Sequence, residues 1–403
     1  MRRSTDRILV SHAGNLPRPP QLDELIEGGL ARERAQRQEY HDRLPEAVRW
    51  IVDRQQECGI DIVNDGEYVK AGSYGGYMQE RVSGYSTVPA DPSKPPKRAG
   101  TAERDRRDFP GFYASGLWFS GSGGPVRPGF ATPGEVRQVG GRDTRICSGP
   151  VKYTGQDAIK EDTANLNAAV QGKDVEGCIT ALGPLSLGAG VRNEYYPNEE
   201  EYMMAVAEAC GEEYRAIAAA GLIVQLDEPE FCTSWSFYPD WNVEDLRKYL
   251  GFCVDVLNHS LEGVPQEQVR FHTCWGSGHR PHVHDIELRY IADLMININA
   301  QQYSIEAANV RHEHEYHVWE EVKLPDGKML MPGVLSHATD LVEHPELVAE
   351  RLVSYAERVG RENVQTGTDC GIGSRVGHEE VVWAKLNAMS EGARIASKRL
   401  WSR

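Results

Sequence analysis

His272-Thr273-Cys274 is the segment whose residue types and spacing point most directly to chemistry. Residues two apart on an extended strand face the same side, so its imidazole and thiol can reach one ion. Cys370 and Glu306, each just past another apolar run, would complete an N, S, S, O set, and thiolates with imidazole suit Zn2+ better than Mg2+ or Ca2+. The same tripeptide also fits a core segment with a buried, inert thiol, and spacing leaves both readings open. Cys58, Cys178, Cys210, Cys232 and Cys253 occupy apolar positions where cysteine behaves as a small hydrophobe. The runs His279–His284 and His312–His317 could hold a second ion, although imidazole–carboxylate pairs more commonly orient the ligands of a first.

The elements that would position these residues follow from the pattern of apolar runs. Eight candidate strands, Arg7–Ser11, Gly59–Asn64, Gly177–Leu182, Gly221–Leu226, Val269–Thr273, Met295–Ile305 (with a possible break), Met329–Leu335 and Asn363–Gly367, alternate with helical stretches. The helices are expected at Ala31–Cys58, Asn198–Ala220, Val243–Asn258, Pro345–Val359 and Glu379–Arg399. This rhythm predicts an α/β fold, a single (β/α)8 TIM barrel over residues 1–403. Polar groups gather just after the strands, where such a barrel assembles its site: His12, Asn15 and Arg18 after the first, Glu67 after the second, Asp227 and Glu228 after the fourth, His337 after the seventh. One at a time, each is as readily a loop hydrogen-bonder.

Residues 70–150 break the rhythm, being rich in Gly, Pro, Ser and charge, with aromatic pairs at Phe112-Tyr113 and Trp118-Phe119. A long loop without regular structure after the second strand predicts an arm, a lid or a subunit contact, and with it a homo-oligomer. A variable surface insertion is the plainer alternative.

Forty-four Lys and Arg against sixty Asp and Glu leave a net charge of −16, a field that repels phosphate backbones and anionic headgroups. Nucleic acid and membrane partners are therefore not expected. The start Met1-Arg2-Arg3-Ser4 leads into only a short apolar run, without a signal-peptide pattern, and a cytoplasmic location is expected.

Six motifs carry a resemblance: His12-Ala13-Gly14-Asn15-Leu16-Pro17-Arg18, Asn64-Asp65-Gly66-Glu67, Gln225-Leu226-Asp227-Glu228-Pro229, His272-Thr273-Cys274, Pro332-Gly333-Val334 with His337, and Thr368-Asp369-Cys370-Gly371. In this order the chain resembles the catalytic barrel of the cobalamin-independent methionine synthases and their zinc-dependent alkyltransferase relatives. Cys274-Trp275-Gly276-Ser277, Arg311-His312-Glu313-His314-Glu315, Trp319-Glu320-Glu321 and Ala393-Arg394-Ile395-Ala396-Ser397-Lys398 make it most similar to epoxyalkane:coenzyme M transferase. The resemblance implies Zn2+ on His272, Cys274, Glu306 and Cys370. It implies that Glu67 and Asp227 hold an amino group of homocysteine and that His337 transfers a proton. Arg18, Arg145 and Arg311 would be the cations available to a sulfonate. The family usually has serine at Asn15. A full methionine synthase also has a second, N-terminal barrel, for which 403 residues leave no room, and a tryptophan where Ser186-Leu187-Gly188-Ala189-Gly190 stands here. A folate polyglutamate donor is therefore not expected.

A free thiol is mostly protonated at pH 7, and binding its sulfur to zinc deprotonates it. The expected reaction is alkylation of a small-molecule thiol, by an epoxide that opens or, alternatively, by a methyl donor. A metal-free decarboxylase of the same superfamily and a zinc-binding module are the rival readings.

Overall fold

Eight of the apolar runs become parallel strands of one sheet in the computed structural model, which describes residues 1–25, 38–70, 74–91, 93–94, 97–100, 102–115, 143–276, 280–373 and 375–402. In chain order the strands are β1 (Leu9–Val10), β2 (Ile62–Asn64), β3 (Val82–Pro89), β4 (Asp143–Tyr153), β5 (Glu176–Leu182), β6 (Arg192–Asn193), β7 (Ile223–Asp227), β8 (Val269–Thr273), β9 (Gln302–Ile305), β10 (Met329–Leu335) and β11 (Gln365–Thr368). The large sheet runs β1-β11-β10-β9-β8-β7-β5-β2 and rolls up into the expected TIM barrel. At the seam where β1 meets β2, Asp61 N–H donates to Val10 O at 2.8 Å. Side chains supply further links: Asp61 Oδ2 accepts from Val10 N–H at 2.8 Å and Ser11 Oγ donates to Ile62 O at 3.2 Å.

Helices pack around this sheet where expected, at Gln38–Glu57, Glu199–Ala219, Val243–Ser260, Pro345–Val359 and Glu379–Trp401. Asn198 caps the second of these by accepting from Glu201 N–H at 2.8 Å, with three glutamates in its first turn that suit the positive helix end. The start of the expected Ala31–Cys58 helix lies outside the described residues before Gln38. A further helix, Gln156–Val170, precedes β5.

Two expectations change. The sixth run, Met295–Ile305, is extended only over Gln302–Ile305, and Ala292–Met295 is helical. Local bonds explain the break: Asn297 Nδ2 donates to Asp293 O at 2.9 Å and Asn299 N–H to Asn258 Oδ1 at 2.7 Å, competing with a strand ladder. The segment after the second strand is also not structureless where it is described. β3 pairs antiparallel with β4, which pairs parallel with β6, as β-branched and aromatic residues such as Val82, Tyr85, Ile146 and Val151 favour. Short helices follow at Glu103–Asp108 and Pro110–Ala114. Trp118-Phe119 lies outside the described residues.

Inside the barrel, Leu9, Ile62, Cys178 and Ile223 form a small apolar cluster. Beside it runs a fully buried polar chain: Arg270 bonds Gln302 at 2.5 Å and Gln225 at 3.1 Å, and Gln302 donates to Gln365 at 2.8 Å. Gln225 then donates to Asp227 Oδ1 at 2.8 Å, so the floor of the barrel reaches the mouth of the site. Among the described residues no helix is long and apolar enough to cross a membrane.

Candidate functional site

Strand register assembles the site. Asp227 is opposite His272, His272 opposite Ser304, and Thr273 opposite Ile305, which sets Glu306 beside Cys274 one residue further on. Leu335 is opposite Thr368, so His337 and Cys370 follow at equal distance past neighbouring strands.

The ligand atoms of His272, Cys274 and Cys370 all lie within 4.8 Å of one another. A tetrahedral zinc site spaces such atoms about 3.3–3.8 Å apart, inside that limit. His272 Nε2 is buried without a hydrogen-bond partner, while Nδ1 meets Ser304 Oγ at 2.9 Å. An imidazole fixed through one nitrogen and left open at the other is arranged as a ligand. The Cys274 thiol donates toward Cys370 and holds the Cys370 thiol well below its usual range, while Cys274 itself is pushed well above. Burial lowers His272, but Cys370 and Asp227 outweigh it and raise its pKa. One thiol thus ionises readily, as a soft cation requires.

Glu306, the fourth ligand expected from the sequence, falls outside that group of three and stands just past β9. Its Oε2 accepts Trp275 N–H at 2.9 Å and its Oε1 accepts Asn309 Nδ2 at 2.8 Å. Glu306, His337 and Asp369 also lie within 4.8 Å of one another. Glu306 is felt electrostatically at both His272 and Cys274, and each carboxylate oxygen keeps a second lone pair. The donor set therefore fits Zn2+. His337 is buried, with Nδ1 unpartnered, and burial lowers its pKa despite the nearby Glu306.

Asp369 has no role assignable from spacing. It is fully buried, and its Oδ1 accepts the N–H groups of Ala307 and Ala308, both at 2.7 Å, which holds the turn just after Glu306. Gly333 leaves room for it: a Cβ there would stand 2.1 Å from Asp369 Oδ1.

His12, Asn15 and Glu67 line the loops after β1 and β2. His12 Nε2 meets Gln55 Oε1 at 2.7 Å, the same oxygen that accepts Asn64 N–H at 2.9 Å, and burial pulls the His12 pKa down to about 4. Gln55 was not singled out by the sequence. Asn15 O accepts Gly373 N–H at 3.0 Å, which joins the first loop to the one carrying Cys370. Gly14, at φ 76°, makes that approach possible, since a Cβ on it would be 2.7 Å from Gly371 Cα. Glu67 takes the left-handed φ of 59° and its Oε1 accepts Thr180 Oγ1 at 2.7 Å. Burial, offset by Lys70 and reinforced by Asp227, pushes its carboxyl up to about 7.

The other expected substrate contacts are occupied elsewhere. Glu228 is fully buried and Oε2 accepts Leu185 N–H at 2.9 Å and Ser186 N–H at 3.3 Å. Its other oxygen accepts Ser186 Oγ, so this carboxyl holds the turn after β5. Arg18 donates to Asp23 at 2.8 Å. Arg145 lies on β4 with its guanidinium 3.7 Å from the Tyr85 ring centroid, on the small sheet. Arg311 donates to Val283 O at 2.6 Å. The two histidine-rich runs meet: His282 Nδ1 is 2.6 Å and His312 Nε2 3.3 Å from Asp285 Oδ2. His279 lies outside the described residues.

Comparisons with known proteins place the fold and family. The methionine synthase of Saccharolobus solfataricus is 23% identical over 394 residues, covering 96% of this chain and 94% of that protein. That of Sulfolobus acidocaldarius is 23% identical over 393 residues, covering 96% and 91%. Among solved structures, a B12-independent methionine synthase from Shewanella sp. W3-18-1 in complex with selenomethionine superposes with a TM-score of 0.69 at 23% identity, covering 98% of this chain and 100% of that one. A family model, "Cobalamin-independent synthase, Catalytic domain", matches residues 135–395, a span from β4 to the last helix that includes His272, Cys274, Glu306, His337 and Cys370. The chain belongs to the cobalamin-independent synthase catalytic-domain family.

Proposed function

We propose that this protein is a zinc-dependent S-methyltransferase that makes a thioether from a small amino thiol of the homocysteine type, using a methyl donor other than a folate polyglutamate. The observation that carries the reading is the cluster of buried His272 and Cys274 with partly buried Cys370, their ligand atoms within 4.8 Å of one another, at the ends of β8 and β11. Methionine synthases among the relatives favour methyl transfer over the opening of an epoxide.

A bound Zn2+ would hold the substrate sulfur as a thiolate at neutral pH. Glu67, next to Asp227, supplies negative charge for the substrate ammonium, and Thr180 fixes its direction. The new bond joins substrate sulfur to the methyl carbon as the bond between that carbon and its carrier breaks. The carrier keeps the electron pair, and His337 delivers the proton its departing atom needs.

Metal analysis decides the first part. About one zinc per parent chain is expected, with Cys370→Ser losing most of it. Zinc-free, active parent protein would overturn the mechanism, and unchanged affinity in the variant would remove Cys370 from the ligand set. Product analysis with homocysteine and small methyl donors tests the substrate class.

A further inference from the structure

Asp105 stands on the short helix Glu103–Asp108 of the segment inserted after β2, yet it is 1% exposed. It is buried against the loop that leaves Cys274. Oδ2 accepts Arg280 at 3.3 Å and His282 N–H at 3.1 Å, while Oδ1 accepts His284 N–H at 3.3 Å. His282 sits at a left-handed φ of 56°, a strained conformation for a non-glycine residue that its surroundings must impose. Arg280, held by Asp105 and by Asp285 at 3.2 Å, donates in turn to Trp275 O at 2.9 Å.

Trp275 is fixed on every side. Its ring stacks on His312 with centroids 3.8 Å apart, its Nε1 donates to Ile286 O at 2.6 Å, and its backbone N–H donates to Glu306 Oε2 at 2.9 Å. It follows Cys274 directly in the chain. A contiguous path therefore runs from Asp105 through Arg280 to the Trp275 peptide, and from there to Cys274 and Glu306. The inserted segment is also tied to the helix Glu230–Phe237 and the turn after it: Arg104 donates to Trp235 O at 3.0 Å and Trp241 O at 2.8 Å.

We infer that Asp105 is a positioning residue for the Cys274 and Glu306 side of the metal centre, so that docking of this inserted helix and metal binding are energetically linked. The inference rests on the zinc reading above. Linkage is reciprocal: whatever docked-helix geometry gives to the ion, the ion gives back to the docking.

The test is chelator competition for Zn2+ on the full chain, with parent, Asp105→Asn, Asp105→Ala and Arg107→Ala. Arg107 lies on the same helix, in an exposed pair with Asp240 at 3.0 Å, and serves as the control. The inference expects zinc affinity to fall about tenfold or more in Asp105→Ala, less in Asp105→Asn, and to stay at the parental value in Arg107→Ala. It also expects added Zn2+ to slow amide exchange of both 103–108 and 280–285 in the parent. Parental affinity in both Asp105 variants, or equal losses in all three, overturns the coupling and leaves the zinc reading intact. A parent chain that binds no zinc overturns both.

Discussion

Glu67 is where charge and backbone strain coincide. Its carboxyl, pushed up to about 7 by burial, is half neutral at the pH where an amino thiol must be held. As pH falls through that value the acceptor for the substrate ammonium is lost, so kcat/KM should decline on the acid side with a midpoint near 7 in the parent. Lys70 opposes that rise, and Asp227 and Asp65 add to it. Glu67→Gln should raise the KM for the amino thiol by about tenfold to a hundredfold and remove the acid limb; a pH profile measured on both proteins checks it. His337→Asn should cut kcat about a hundredfold or more while zinc content is kept, and loss of zinc would make His337 a support for the ligands instead. Glu228 gives a stability counterpart. Burial raises it to about 8 from 4.5, so the folded state prefers the neutral acid, and stability is lost as pH rises from the unfolded value through the folded one. Glu228→Gln can keep its bonds to Leu185 and Ser186 without that loss, so its Tm advantage over the parent should grow between pH 5 and about 8 and then level off. A constant difference across the range would disprove it.

At the scale of elements, the eight strands were legible because continuous apolar runs between turn signals have few other solutions. That the His272 and Cys274 side chains come together was legible because the strand period is two. What sequence could not show is register. Cys370 comes within reach of His272 and Cys274 only because β8, β9, β10 and β11 are staggered as they are; Glu306 and Cys370 were candidates from their places past apolar runs, and the resemblance to known enzymes picks the same two. Asp369, Gln55 and Asp105 escaped for a related reason: each bonds groups brought to it only by the fold, two loop N–H groups for Asp369, His12 and Asn64 for Gln55, and the 280–284 loop for Asp105, and a buried carboxylate or amide leaves no local pattern. Glu228 and Arg18 were read as substrate contacts from position alone, but neighbouring N–H groups and Asp23 claim them. Gly183→Ala tests the Glu228 turn directly, since the new Cβ would stand 2.1 Å from Glu228 Oε2; a loss of about 1–3 kcal/mol in denaturant unfolding is expected.

For the whole molecule, metal and fold should be coupled. His272 and Cys274 after β8 and Cys370 after β11 meet only in the closed barrel, so an ion that binds them, as proposed, would stabilise it by mass action. Stripping the metal with a strong chelator should lower Tm by about 4 °C or more, an effect readable by scanning calorimetry and reversed by added Zn2+. An unchanged Tm would place the ion outside the folded centre. The barrel's own closure is uneven, because β1 and β2 meet through the Asp61–Val10 backbone hydrogen bond and a few side-chain links, whereas β5, β7, β8, β9 and β10 share ladders of four or five paired residues with their neighbours in that run. Mechanically the molecule is a sheet rolled shut and latched at Asp61. Under load or at the onset of unfolding, that latch is expected to part first and to separate His12 from Glu67, so that any substrate contacts proposed there would be lost before the strands that carry His272 and Cys370 let go.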